Sequence, residues 1–164
     1  MTFPEKEIYD ECIDELKAKD YYFTSLGHTA PAHYDWYRRQ EEREPAVEEL
    51  AWTRPALLFQ FGRMTQEPQS SNKSRVSVPL TIVCVQDKYV DPRDGSSNQA
   101  SYLKMLEWKY IVDRILGNFK GSCFSSMYLG WVETDHRNQN LHVERLFYTI
   151  KGTFTRPVIP PPEP

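Results

Sequence analysis

Apolar positions along this chain recur at intervals of four, then two, then four, then two again, and each change of interval marks a new kind of element. Ile8, Cys12 and Leu16 fall four apart with Tyr9 and Ile13 beside them, which predicts a helix over Pro4–Lys19 with one apolar face. Thr2 and Glu5 read as a capping box, and Pro4 is tolerated because first-turn amides have no helical partner. The stretch "KDYYFTSLG" predicts a turn into extended chain. "HYDWYRR" predicts a short strand with Tyr34, Trp36 and Arg38 on one side, and "QEEREPAVEEL" a solvated loop or short helix around Pro45.

Pro55–Phe61 is a continuous apolar run of strand-forming residues, as in an interior strand covered on both faces. "TQEPQSSNKS" is polar and turn-rich, which predicts a flexible excursion. In "RVSVPLTIVCVQD" a period of two puts Val76, Val78, Leu80, Ile82 and Cys84 on one face, while Pro79 places part of the strand at a sheet edge or a bulge. "KYVDPRDGSSNQ" reads as a loop. Ser97 then caps a helix over Asn98–Asn118, with Leu103, Leu106, Tyr110, Ile111, Ile115 and Leu116 on its apolar face. Trp108 lies off that stripe, exposed or packed under a loop. "SMYLGWVETDH" and "LHVERLFYTIKGTFT" flank a polar "RNQN" turn and form an antiparallel hairpin, with Leu146, Tyr148, Ile150 and Phe154 facing one way. "RPVIPPPEP" suits extended polyproline-like chain.

The order helix, strands, helix, hairpin predicts an α+β fold: one domain over residues 1–156, a mixed and mostly antiparallel sheet, and two packing helices. Residues 157–164 form an extended proline-rich tail. A length of 164 residues suits a single core. The net charge of −3 argues against a dedicated nucleic-acid binder. No apolar run reaches the length needed to span a bilayer, and the first residues lack the pattern of a secretion signal. Cys12, Cys84 and Cys123 are an odd number at wide spacings, neither a disulfide framework nor a zinc ribbon, which fits a reducing site of synthesis.

Candidate chemistry is thin. His28 and His33 have Asp35 nearby, and His136 follows Asp135, so a metal site would need the fold to bring separate loops together. Their spacing matches no familiar zinc motif, and with His142 they read as surface histidines in polar, turn-like contexts. Cys12 and Cys84 fall on apolar stripes and read as core; Cys123, in "GSCFSS", is the one thiol in a loop, with no base identifiable beside it. "GNFKGS" follows a helix, whose C-terminus repels phosphate, so it reads as a helix stop. Arg38, Arg39 and Arg43 are interleaved with Glu41, Glu42 and Glu44, a solvated face or contact rim. No catalytic, cofactor-binding or metal-binding residue is assigned. The chain reads as a non-enzyme, and a small metal- or thiol-dependent enzyme using His28, His33, Asp35, His136 or Cys123 is the rival from another class.

The element order, with "YDWYRR", "RPALLFQFG" and the closing "LGWVETDHRNQNLHVERLFYTIKGTFT", resembles the tail terminator (tail-completion) proteins of long-tailed bacteriophages. The resemblance covers nearly the whole chain and rests on pattern. It departs at Gln40–Leu50, at Thr65–Ser74 and after Arg156. It implies a structural virion protein of the tail or neck, synthesised in the host cytoplasm. Copies of it would assemble as a ring, usually of six, that caps the tail tube and joins it to the head–tail connector. Its partners would be further copies of itself, the tail tube protein and neck proteins, with no membrane and no cofactor, and with DNA only passing through the lumen. A stopper or adaptor of the same neck would share the ring habit, and a cytoplasmic peptide-binding module would instead fill its sheet edge with another chain. In the terminator reading the excursions Thr65–Ser74 and Lys88–Gln99 and the tail Pro157–Pro164 are contact arms, and strand addition is one means of contact.

Overall fold

The computed structural model describes residues 4–37, 53–87, 95–117, 119–135 and 141–155, with backbone alone for residues 95–102. Thr2, the charge run, the loop at 88–94, His136, the turn after it and the proline-rich tail lie outside the described residues. Helices α1 (Pro4–Ala18), α2 (Tyr21–Ser25) and α3 (Gly95–Leu116) accompany strands β1 (His33–Trp36), β2 (Ala56–Phe61), β3 (Thr65–Pro68), β4 (Lys73–Asp87), β5 (Phe124–Asp135) and β6 (Leu141–Thr155). The strands form one sheet ordered β1-β2-β4-β6-β5, with β3 paired to β4 beyond the end of β2. Only β1 and β2 run parallel; every other pair is antiparallel. This is the expected α+β architecture.

Its backbone is the ladder between β4 and β6, in register from Lys73↔Thr155 to Asp87↔Leu141. Alternation sends Val78, Leu80, Ile82 and Cys84 of β4 to one face with Leu146, Tyr148 and Ile150 of β6, all buried. The helices cover that face. Ile8, Cys12 and Leu16 of α1, Phe23 of α2 and Ile111, Val112, Ile115 and Leu116 of α3 complete the main core. Tyr9 of α1 stacks on Trp36 at 4.2 Å between centroids and meets Phe59 edge-on at 5.2 Å, which ties the first helix to β1 and β2.

Four expectations are corrected. The turn after α1 is built from the short helix α2, ended by Gly27 at φ 74, a backbone angle that side chains with a Cβ resist. The polar stretch at Thr65–Pro68 is an ordered strand, β3, whose residues face solvent on a hairpin with β4. Helix α3 begins at Gly95, ahead of the expected Ser97 cap, and ends at Leu116. Its buried face is also rotated from the expected one: Leu103 and Tyr110 are 52% and 60% exposed, while Trp108 is 1% exposed and donates its indole N–H to the Thr29 carbonyl at 2.8 Å.

Pro79 lies inside the central strand, opposite the break between β2 and β3. Its carbonyl accepts from the Gly62 amide at 2.8 Å. The amide nitrogen of a strand residue points the same way as its carbonyl, so the missing donor faces a gap in the neighbouring ladder and forfeits little. The long strand is thus edge-like at that one residue.

Gly152 of β6 sits at a bulge where β5 shifts register between Phe124 and Ser126. A Cβ there would lie 2.1 Å from the Cys123 carbonyl oxygen and 2.8 Å from the Phe124 Cα, both backbone atoms. At Gly130, by contrast, the nearest atom would be the Phe147 carbonyl oxygen at 3.4 Å. Gly152→Ala is expected to cost about 2–3 kcal/mol in denaturant unfolding through overpacking, and Gly130→Ala well under half of that.

Candidate functional site

Among the described residues, the side chains singled out as candidates for chemistry do not converge. His28 has a nearly buried side chain whose Nε2 lies 3.4 Å from Glu107 Oε2 of α3. His33 lies 3.8 Å from Asp35, two residues along the same strand. Asp35 also accepts from the Trp36 amide at 2.7 Å. Among the described residues no three His, Cys, Asp or Glu side chains group so as to hold a metal ion. Asp135 accepts from Arg145 at 2.7 Å. Cys123 sits in the loop before β5, where burial, then the carboxylates of Glu11 and Glu7, push its thiol up to about 11. That is the reverse of an activated nucleophile, which needs positive neighbours. Cys12 lies 3.9 Å from Met127 sulfur to sulfur, and burial raises its thiol and that of Cys84.

A polar seam between α3 and the sheet was not legible in the sequence. Lys109 bonds to Glu144, with the two side chains 9% and 0% exposed, and Thr134 donates to the same carboxylate oxygen at 3.2 Å. His142 is buried beside them, its Nε2 3.6 Å from that oxygen, which corrects its expected surface position. One turn of α3 toward its N-terminus, the Met105 carbonyl accepts from Gln86 at 3.1 Å; one turn the other way, Asp113 accepts from the Tyr148 hydroxyl at 3.0 Å. Burial and then Asp113 raise that hydroxyl's pKa far above its usual value. Helix spacing i, i+4, i+8 brings all three contacts to one side of α3. Among the described residues Glu144 Oε2 has no hydrogen-bond partner. The seam positions a helix.

The opposite sheet face is divided in two. At one end Ala56, Leu58, Val83, Val85 and Val143 form a second, fully buried apolar cluster with Tyr37 and Leu141 packed against it. The other end is open. Here Trp131, 63% exposed, stacks on Phe147 with centroids 4.5 Å apart and planes 18° from parallel. Tyr128 is 57% exposed, with the Lys151 ammonium 6.0 Å from its ring centre. Beyond them a groove of about 590 Å³ is lined by Thr65, Glu67, Arg75, Ser77, Tyr128 and Lys151, with Glu67 opposite Arg75 in the β3–β4 ladder. Rings, hydroxyls, two cations and one carboxylate make a mixed adhesive surface. Strand β5 carries the rings, and among the described residues nothing pairs with its outer edge. Exposed Trp and Tyr of this kind mark the centre of protein interfaces.

Two measurements check this division. Lys109→Met leaves Glu144 buried without its cation and is expected to cost about 3–5 kcal/mol in denaturant unfolding, while adding Glu144→Leu recovers most of that loss. Alkylation of Cys123 is expected to be very slow at neutral pH and to quicken about tenfold per pH unit until the solution nears its pKa, because only the thiolate reacts. Fast labelling at pH 7 would reopen the thiol chemistry.

Among the described residues no helix is long and apolar enough to cross a membrane. A scan against models of known protein families finds no match to this chain, and a search of curated proteins finds none either.

Proposed function

We propose that this chain is a structural subunit that joins to copies of itself head to tail and closes into a ring, in the manner of the phage tail terminators its sequence resembles. The ring would cap a tail tube, halt its growth and present a surface to the connector beneath the capsid, so the working location is the tail or neck of a virion. One observation carries the reading: among the described residues a single sheet ends in two unlike outer strands, the four-residue β1 and the twelve-residue β5, at opposite ends of the strand order. Ring closure requires two different patches on each subunit, one gripping and one gripped, related by a rotation. Unlike edges supply such a pair.

The long ladder supports the same reading. Fifteen residues of β4 extend about 50 Å, against about 33 Å for the 22 residues of α3. Strands that outrun the longest helix leave sheet for a neighbour to cover. A net charge of −3 is compatible with DNA passing through such a ring.

Sedimentation of the purified chain across a concentration series is expected to give one discrete oligomer above the monomer. Electron microscopy of tail tubes mixed with it should find density at one tube end. A chain that stays monomeric to its solubility limit and leaves tubes bare would overturn the proposal. Density at the connector instead of the tube end would make the subunit a stopper or an adaptor.

A further inference from the structure

We infer that the open end of the sheet face, centred on Trp131 and Tyr128, is a receptor for the proline-rich segment Pro157–Pro164 of a second copy of this chain. The inference deepens the ring reading and rests on it for the identity of the partner. Its physical basis is the match between what this face offers and what that segment requires.

Prolines at 157, 160, 161, 162 and 164 are a sequence that favours the polyproline II conformation, which forms no internal hydrogen bonds and loses little entropy on docking. Such segments bind where exposed aromatic rings stand side by side, because flat proline rings pack on flat aromatic faces. The Trp131–Phe147 stack and Tyr128 are the exposed rings on this face, and a pocketed groove adjoins them.

Charge and length agree. Along β6, Phe147 and Lys151 are four residues apart, about 14 Å in a strand. Along a polyproline helix, Val158 to Glu163 is five residues, about 15 Å. With Val158–Pro160 against Trp131 and Phe147, Glu163 therefore falls beside Lys151, the groove cation that has no carboxylate opposite it in the ladder, whereas Arg75 faces Glu67. Strand β6 ends at Thr155, four residues past Lys151, so a segment that runs on in the strand's direction leaves its own face behind. Eight residues in polyproline form reach about 25 Å, far enough to reach another subunit.

The test uses the full-length chain carrying Pro160→Ser, Pro161→Ser and Pro162→Ser, so that its own segment does not compete. The probe is a fluorescent peptide of residues 155–164, followed by anisotropy. Saturable binding is expected, weakened more than tenfold by Trp131→Ala and kept by Trp131→Phe, with unfolding midpoints confirming that each variant folds. Lys151→Glu should also weaken binding, and a Glu163→Lys peptide should restore it. Binding that ignores Trp131→Ala, or no saturable binding, overturns the inference. Sedimentation of the unmodified chain separates the two levels. Oligomers without peptide binding would spare the ring reading and remove this contact. Peptide binding by a chain that never exceeds a monomer would overturn the ring reading and the second copy as the source of the segment.

Discussion

The pairing of β4 with β6 is the constraint on which the rest of the molecule depends. Two fifteen-residue strands in unbroken antiparallel register fix two faces at once, since alternation leaves no freedom over which residue points where. One face is a nearly continuous row of Val, Leu, Ile, Cys and Tyr that must be covered, and the three helices are the cover. The other face inherits the remaining positions. Near the Asp87 end these are valines and leucines that bury themselves; near the Lys73 end they are hydroxyls, cations and rings that do not. A slip of one residue between β4 and β6 would exchange the two sets. The core and the candidate interface are therefore products of a single register.

Strands with strict alternation were legible because burial and period coincide in them. Val76 to Cys84 and Leu146 to Ile150 lie where their spacing put them. Helix α3 was read with its face rotated, and the reason is physical. Its inner side carries Lys109 and Asp113, which meet Glu144 and Tyr148 of the sheet. A face-finding rule that counts only apolar residues turns away from a lysine and an aspartate and toward Leu103 and Tyr110, which are exposed. Burial of the ionic partner was equally hidden, since Glu144 lies 35 positions beyond Lys109 in a different element and only the fold joins them. Strand β3 was unreadable for a different reason. Its four residues are all exposed, so the backbone ladder to Ser74–Ser77 specifies it and hydrophobic pattern does not.

The same distinction separates structural polarity from chemistry. The most buried ionisable groups hold α3 on the sheet, and replacing such a pair with apolar residues is often neutral in stability. What the pair adds is a fixed rotation of the helix, because a lysine reaching one carboxylate defines a register that interchangeable aliphatic side chains would not. Trp108 adds a second pin on the same helix through the Thr29 carbonyl. Among the described residues that sequence singled out, His28, His33 and Cys123 are held apart, each by its own neighbours.

A twelve-residue free edge is a hazard before it is an interface, since unpaired amides and carbonyls invite any extended chain. Strand β5 meets that hazard with two register shifts, between Phe124 and Ser126 and between Leu129 and Trp131. Bulges break the edge into short segments that a continuous added strand does not fit. Strand addition along its whole length is thus disfavoured, and selection of a neighbour passes to side chains. The second shift lies beside Trp131, the most exposed large hydrophobic residue described, so one irregularity both closes the edge to indiscriminate pairing and presents the ring that discriminates. In the proposed ring a subunit would need both properties, because an edge that accepted every strand would build a fibre instead of a closed ring.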